Sequence, residues 1–310
     1  MYNSIQPIIH IGYHKTGTSF LQNNLFEHNK KFLRVPQRQI YNNFIYPDPL
    51  AYNQNKAVLF ADYYLNEAYF LNKIPVFSNE RLSGSLHFGG FDSLDIAHRL
   101  KSVFKDAKII ICIREQNSMI YSAYSQYIRA VGSASIKEYL DPTTKNNKTL
   151  FHRSYLEYHK LIEKYITLFG SKNVLILPYE LMLYDIKTYV WEILLFCGLR
   201  NLNKDLNNIK LERVNNSLNS VNLLIKRKFN PFIIKGHHNI GNTLYCPFIE
   251  VIYKVINNIL NKLRLRKINN KIKQKQFNFI KSAIKDYYTE SNRITQKLLN
   301  HDLKDYGYNI

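Results

Sequence analysis

The run Lys108–Ile113, KIIICI, constrains the fold more than any other stretch of the chain. Past its first residue it is nearly all β-branched, a composition that suits a pleated, buried strand. A strand with one wet face alternates apolar and polar residues. This one does not alternate, so both of its faces need cover, as in a parallel sheet flanked by helices. Ile8–Ile11 reads as a second buried strand, and shorter strands are expected at Pro75–Ser78 and Asn173–Leu177. Helical spacing appears in Ala57–Leu71, in Asp92–Phe104 (Leu94, Ala97, Leu100, Phe104) and in Asn117–Val131 (Ile120, Tyr124, Tyr127, Val131). It appears again in Arg153–Phe169, stopped by Gly170, and in Asp185–Cys197. Residues 30–56 show no clear periodicity. Strands alternating with helices imply an α/β fold with a central, mostly parallel sheet.

The sequence between Ile11 and Phe20 narrows the function. Gly12, Gly17 and Ser19 fall on the spacing of a phosphate-binding P-loop, G-x-x-x-x-G-K-[ST], but Thr18 holds the lysine position and a lysine stands earlier, at Lys15. Backbone N–H groups of such a turn, with the positive end of the following helix, bind a phosphate whatever the side chains. Triphosphate hydrolysis also needs an Mg²⁺ site, usually an acidic residue ending a neighbouring strand. The strongest strand here ends in Arg114, whose guanidinium suits a second anion directly. Glu80 and Glu180 also follow apolar runs and stay open as metal-holding alternatives.

The segment His10–Leu21, HIGYHKTGTSFL, resembles the 5′-phosphosulfate loop of the sulfotransferase family in its Lys-Thr-Gly-Thr form. Arg114 and Ser122, eight residues apart in IREQNSMIYSAYSQY, have the spacing by which that family binds the 3′-phosphate of its donor. VLILPYELMLYD, residues 174–185, is similar to a strand and turn carried late in the family's core. The resemblance implies a P-loop NTPase-like fold and 3′-phosphoadenosine 5′-phosphosulfate (PAPS) as co-substrate, with no metal required. It places Lys15 at the bridging oxygen of the donor, with Thr16, Gly17, Thr18 and Ser19 around the 5′-phosphate and Arg114 with Ser122 around the 3′-phosphate. Lys235 and Gly236 in IIKGHHNIGN loosely match the basic loop that closes over that phosphate in relatives, and Arg213 in ERVNNSLN is an alternative contributor.

A general base must take the proton of the acceptor hydroxyl or amine. Glu80, in SNERLSG, resembles the glutamate of the family's glycan-modifying members, and His14 and His87 are lesser options. The implied acceptor is a carbohydrate, a glycolipid or a small metabolite, and the implied protein is bacterial. Two rivals remain: a P-loop kinase or nucleotide hydrolase, and a non-enzymatic polyanion-binding protein. The second draws on a formal charge of +20, which attracts anions of every kind.

That charge is concentrated. From Lys226 to Lys285 fourteen Lys plus Arg face one acidic residue, Glu250, while Phe248, Ile252, Val255, Ile259 and Leu263 recur at helical spacing, so one face is expected to pack on the core while the other presents cations. We expect a sulfotransferase core over residues 1–225 and a basic helical region over 226–310 packed on the same domain. That region can make peripheral contact with an anionic membrane; no nucleic-acid partner is expected. Cys112, Cys197 and Cys246 lie far apart without metal-site spacing. With no leader-like start and no apolar run of membrane-spanning length, a cytoplasmic protein is expected, the inner membrane face being its place of peripheral contact.

Overall fold

The structure is a computed structural model that describes residues 6–141, 151–199, 219–232, 246, 248–263 and 265–310. Five strands, β1 (Ile8–His10), β2 (Phe32–Arg34), β3 (Ile74–Ser78), β4 (Lys108–Ile113) and β5 (Val174–Pro178), form one sheet in the order β2-β3-β1-β4-β5. Every pairing is parallel, with Ile9 opposite both Phe77 and Ile109, and Ile111 opposite Ile176.

The unbroken apolar character of β4 is explained by what covers it. Ile109, Ile111 and Ile113 bury on one face in a cluster with Ile9 and Phe77, while Ile110 and Cys112 bury on the other with Ile8, Phe20, Leu25 and Leu177. All five β4 residues after Lys108 are fully buried, and each buried isoleucine stabilises the fold by about 1.5–3 kcal/mol.

The helices are α1 (Thr18–Phe20), α2 (Gln37–Ile40), α3 (Gln54–Phe70), α4 (Ser93–Val103), α5 (Gln116–Arg129), α6 (Ile136–Leu140) and α7 (Tyr158–Phe169). They continue as α8 (Tyr179–Tyr184), α9 (Ile186–Phe196), α10 (Ser220–Phe229), α11 (Phe248–Lys262), α12 (Arg266–Ile284) and α13 (Thr289–Gln296). α1 runs on as a wider π-helical segment, Leu21–Phe26. Helices α4, α5 and α7 supply the first core cluster, to which the late residues Ile280, Ile284, Tyr288, Leu303 and Tyr308 also belong. Helix α9 and the segment after the glycine loop supply the second.

The sheet order sets where a ligand sits. From β1 the chain moves outward to one edge and returns through β3; it then crosses to β4 and moves to the opposite edge. The gap between the C-terminal ends of β1 and β4 is therefore the switch point, where open parallel sheets bind ligands. The expected helix over Arg153–Phe169 is two elements, a 3₁₀ turn (Arg153–Leu156) and α7, separated at Glu157, whose ψ of 77° lies outside the helical region. Among the described residues no helix is long and apolar enough to cross a membrane.

Candidate anion-binding site at the switch point

After β1 the chain stays against β4, with Ile11 N–H donating to Ile110 O at 3.1 Å and Tyr13 N–H to Cys112 O at 3.0 Å. It then turns sharply through three left-handed residues, Gly12 (φ 42°), Lys15 (φ 66°) and Gly17 (φ 84°). A Cβ on Gly17 would meet Met182 Sδ at 2.7 Å, so the loop lies close on α8 as well as bending. Lys15 takes the same conformation with a side chain, a cost of about 1–3 kcal/mol characteristic of functional sites. The hydroxyl of Thr16 donates to Tyr13 O and closes the turn. Thr18 Oγ1 is buried without a partner among the described residues, and Ser19 is exposed at the helix start.

Arg114, directly after β4, reaches back to this loop. Its Nη1 donates to Lys15 O at 2.9 Å, its Nε donates to Ser118 Oγ at 2.9 Å, and the guanidinium lies 4.8 Å above the Tyr179 ring. Its own carbonyl accepts from Tyr158 OH at 2.6 Å. Ser118, not Ser122, is thus the hydroxyl that Arg114 engages; Ser122 is half-buried one turn further along α5. Glu115 caps α5 by accepting from Asn117 N–H and Ser118 N–H, both at 2.8 Å.

Glu80 enters from β3, whose end is tied to β1 by Asn79 N–H donating to His10 O at 3.2 Å. It opens a 3₁₀ turn, Glu80–Ser83, capped by Asn79. Arg81, the nearest cation in sequence, pairs with Asp92 at 2.7 Å, and no ion pair of Glu80 is found among the described residues. His14 is buried, with Nε2 3.1 Å from Gly84 O; burial pushes its pKa below the ordinary imidazole value while the Glu80 charge pulls it up. The Lys15 ammonium is likewise held below the ordinary lysine range, first by burial and then by the Arg129 and Arg114 guanidiniums, with Glu80 opposing. Lys15 therefore stands within reach of the charges of Arg129, Arg114 and Glu80, and His14 within reach of those of Glu80, Arg81 and Lys15. His87 instead packs with the aromatic rings of Tyr127 and Tyr139, its Nδ1 3.1 Å from Tyr139 OH.

Beside Arg114 opens a cavity of about 790 Å³ at the ends of β4 and β5, lined by Ser118, Glu180, Phe277, Lys281, Lys285 and Tyr308 among others. Two oxygens of Glu180 hold its walls together, Oε1 accepting from Glu115 N–H at 3.1 Å and Oε2 from Tyr308 OH at 3.2 Å. Eight of the fourteen lining residues thus come from the last thirty-odd residues of the chain, far in sequence from Arg114.

A family model, the sulfotransferase domain, matches residues 6–239. The chain belongs to that family. At the family level this supports a transferase that takes its sulfuryl group from PAPS. The solved structures similar to it include a sulfotransferase from Alicyclobacillus acidocaldarius, 19% identical, TM-score 0.49, covering 68% of this chain and 86% of that one. A mouse sulfotransferase complexed with PAP is 12% identical, TM-score 0.34, covering 87% of this chain and 88% of the other. At these values neither adds to the assignment. No curated protein matches.

The family match ends at residue 239, short of α12, which carries Lys281 and ends directly before Lys285. The sequence reading missed both, and it missed Arg129. The helix period carries the signal for the arginine: Ser118 and Arg129 are eleven residues apart, within about 20° of the same face of α5. The C-terminal end of α5 is closed by the basic region, with Lys226 Nζ donating to Arg129 O at 2.9 Å and Asn230 Nδ2 to Ile128 O at 2.8 Å. Arg213, Lys235 and Gly236 lie outside the described residues. Among the described residues no group of three or more His, Cys, Asp or Glu converges as a metal site would.

Proposed function

We propose that this sulfotransferase moves the sulfuryl group of PAPS onto a hydroxyl or amine of a carbohydrate or glycolipid. The observation that carries the reading is the hydrogen bond from Arg114 to the carbonyl of Lys15, which couples two cation-bearing strand ends across the switch point. A donor with phosphates at both the 5′ and 3′ positions needs two such anion sites a fixed distance apart. The turn from Lys15 to Ser19 works as a P-loop whose lysine has moved. The residues suit the group: Thr18 Oγ1 is a buried hydroxyl without a partner among the described residues, and leaving it so costs about 1–3 kcal/mol, relieved by a phosphate oxygen.

In the reaction the acceptor oxygen or nitrogen attacks sulfur, the bond from sulfur to the bridging oxygen breaks, and the electron pair leaves on the 5′-phosphate. The Lys15 ammonium stabilises that growing charge. The Glu80 carboxylate takes the acceptor proton. Arg114, supported by Ser118 and Ser122, holds the 3′-phosphate, and Lys281 with Lys285 from the end of α12 closes the cavity over it, beside any contribution from Arg213, Lys235 or Gly236. No metal enters the scheme. Residues 1–225 and 226–310 act as one unit in the cytoplasm, and peripheral contact with an anionic membrane brings the enzyme to a lipid-linked acceptor.

Calorimetric titration tests the 3′-phosphate site. The product 3′-phosphoadenosine 5′-phosphate should bind far more tightly than adenosine 5′-phosphate, and Arg114→Ala should weaken the former about 10- to 100-fold, the value of a charge-assisted hydrogen bond, and the latter by less, through loss of the bond to Lys15 O. Equal affinities of the two nucleotides for the unaltered protein would remove the assignment. A second titration separates the wall of the cavity from its floor: Lys281→Ala with Lys285→Ala should cost several-fold in the same discrimination, because both ammonium groups stay partly in water. Unchanged binding of the doubly phosphorylated nucleotide would confine the site to Arg114 and α5. A kinase reading predicts instead that ATP with Mg²⁺ binds at least as well.

A further inference from the structure

Helix α11 is turned the wrong way for a core helix. Phe248, Val251, Ile252, Val255, Ile259 and Leu263 form one stripe at helical spacing, and each is 47% to 72% exposed. The opposite side is the one held to the protein: Asn222 Nδ2 donates to Asn257 Oδ1 at 2.9 Å, Phe229 meets Tyr253 at 6.1 Å, and the Lys226 ammonium lies 5.8 Å from the same Tyr253 ring. α10 thus anchors the polar and aromatic side of α11 while its aliphatic side faces out. Among the described residues nothing covers that stripe, and exposed apolar surface of this extent marks an interaction site.

The charge around the stripe selects the occupant. Lys254 flanks it and pairs with Glu250 only at 3.5 Å, and the exposed Arg266, Lys267, Lys271, Lys273 and Lys275 follow on α12. A second copy of the chain would bring the same cations against themselves, which like-charge repulsion opposes. An anionic lipid surface supplies opposite charge for these cations and hydrocarbon for the stripe at once. The fifteen residues of α11 span about 22 Å, too short to cross the hydrocarbon core of about 30 Å and suited to lying in its plane. We propose that α11 inserts its Phe248-to-Leu263 stripe into the headgroup and acyl boundary of an anionic membrane while α12 holds the surface through Arg266, Lys267, Lys271 and Lys275. This deepens the membrane contact proposed above and is independent of the sulfuryl chemistry.

Co-sedimentation of the full chain with vesicles tests it, using phosphatidylcholine alone and phosphatidylcholine with phosphatidylglycerol at physiological salt. The anionic vesicles should bind the chain about tenfold or more better than the neutral ones. Val255→Glu with Ile259→Glu should lower that binding about tenfold, and Arg266→Glu with Lys267→Glu should lower it by a similar factor. All these positions are exposed, so the melting temperature and the binding of 3′-phosphoadenosine 5′-phosphate should stay unchanged in both variants. Failure of nucleotide binding with intact vesicle binding would sink the donor reading and leave this inference standing. Absence of a preference for anionic vesicles, or equal binding by the stripe variant, would overturn it. So would a wild-type dimer in sedimentation equilibrium that the stripe variant converts to monomer without any vesicle binding.

Discussion

Lys15→Ala should lower turnover about 100- to 1000-fold, the usual cost of removing one electrostatic stabiliser of a developing charge. The environment of Lys15 explains why the effect is this large. Its ammonium is partly buried and stands among the Arg129 and Arg114 guanidiniums, with Glu80 the opposing charge. Burial strengthens every charge interaction it makes, and the neighbouring cations leave it needing an anion. The 5′-phosphate acquires charge during transfer, so the lysine interacts more strongly with the transition state than with the bound donor, and the loss should fall on kcat rather than on KM. The backbone gives a control. Because φ at Lys15 is 66°, Lys15→Gly relieves strain that Lys15→Ala keeps, and the glycine variant should be the more stable by up to about 1 kcal/mol. Both should be equally inactive in transfer of labelled sulfate from PAPS. An alanine variant within a few-fold of the unaltered enzyme would take Lys15 out of the reaction.

The parts of this site that the sequence displays are the ones built from contiguous residues. β4 coincides with the run Lys108–Ile113, because a strand covered on both faces writes its burial directly into β-branched composition. The glycine loop is legible because left-handed backbone demands glycine at Gly12 and Gly17. Lys15 breaks that rule, and nothing in its residue type announces it. β2 leaves no trace: three residues at the edge of the sheet, of which only Phe32 is buried, are too few to show a period. The serine spacing points to Ser122 and leaves Ser118 unannounced, although the geometry of a helix start puts Ser118 against Arg114, since residues four apart on one face lie one turn apart. The cavity wall from Phe277 to Tyr308 has no local signature, because what brings it to Arg114 is packing of Ile280, Ile284 and Tyr288 into the main core. Lysines on a solvated helix and lysines on a cavity rim look alike until the fold is closed.

Glu180 should make the protein less stable as pH rises from about 4.5 to about 7. Its carboxyl is buried against the cavity wall, and burial pushes its pKa up from 4.5 to about 7, with the Glu115 N–H and the Arg114 charge acting against that rise. The folded state then holds a proton that the unfolded state has released, so the stabilisation is fully present below pH 4.5 and is lost as pH climbs through 7. At 1.36 kcal/mol per unit the whole change is about 3 kcal/mol. His10 works in the other direction. Burial beneath the loop lowers its pKa from 6.5 to about 3, so its stabilisation is present above 6.5 and is lost as pH falls toward 3. Between about 4.5 and 6.5 these two contributions oppose each other. Glu180→Gln removes one of them. Its amide oxygen can still accept from Glu115 N–H, so the fold is kept, and urea unfolding should show the variant gaining about 3 kcal/mol on the wild type between pH 4.5 and pH 7.5. A stability difference that does not change with pH would mean that the carboxyl is already ionised in the folded state. Glu180 also joins Tyr308 to Glu115 across the cavity rim. The state of this proton therefore decides whether the C-terminal wall is held by a neutral acid or by a carboxylate beside Arg114.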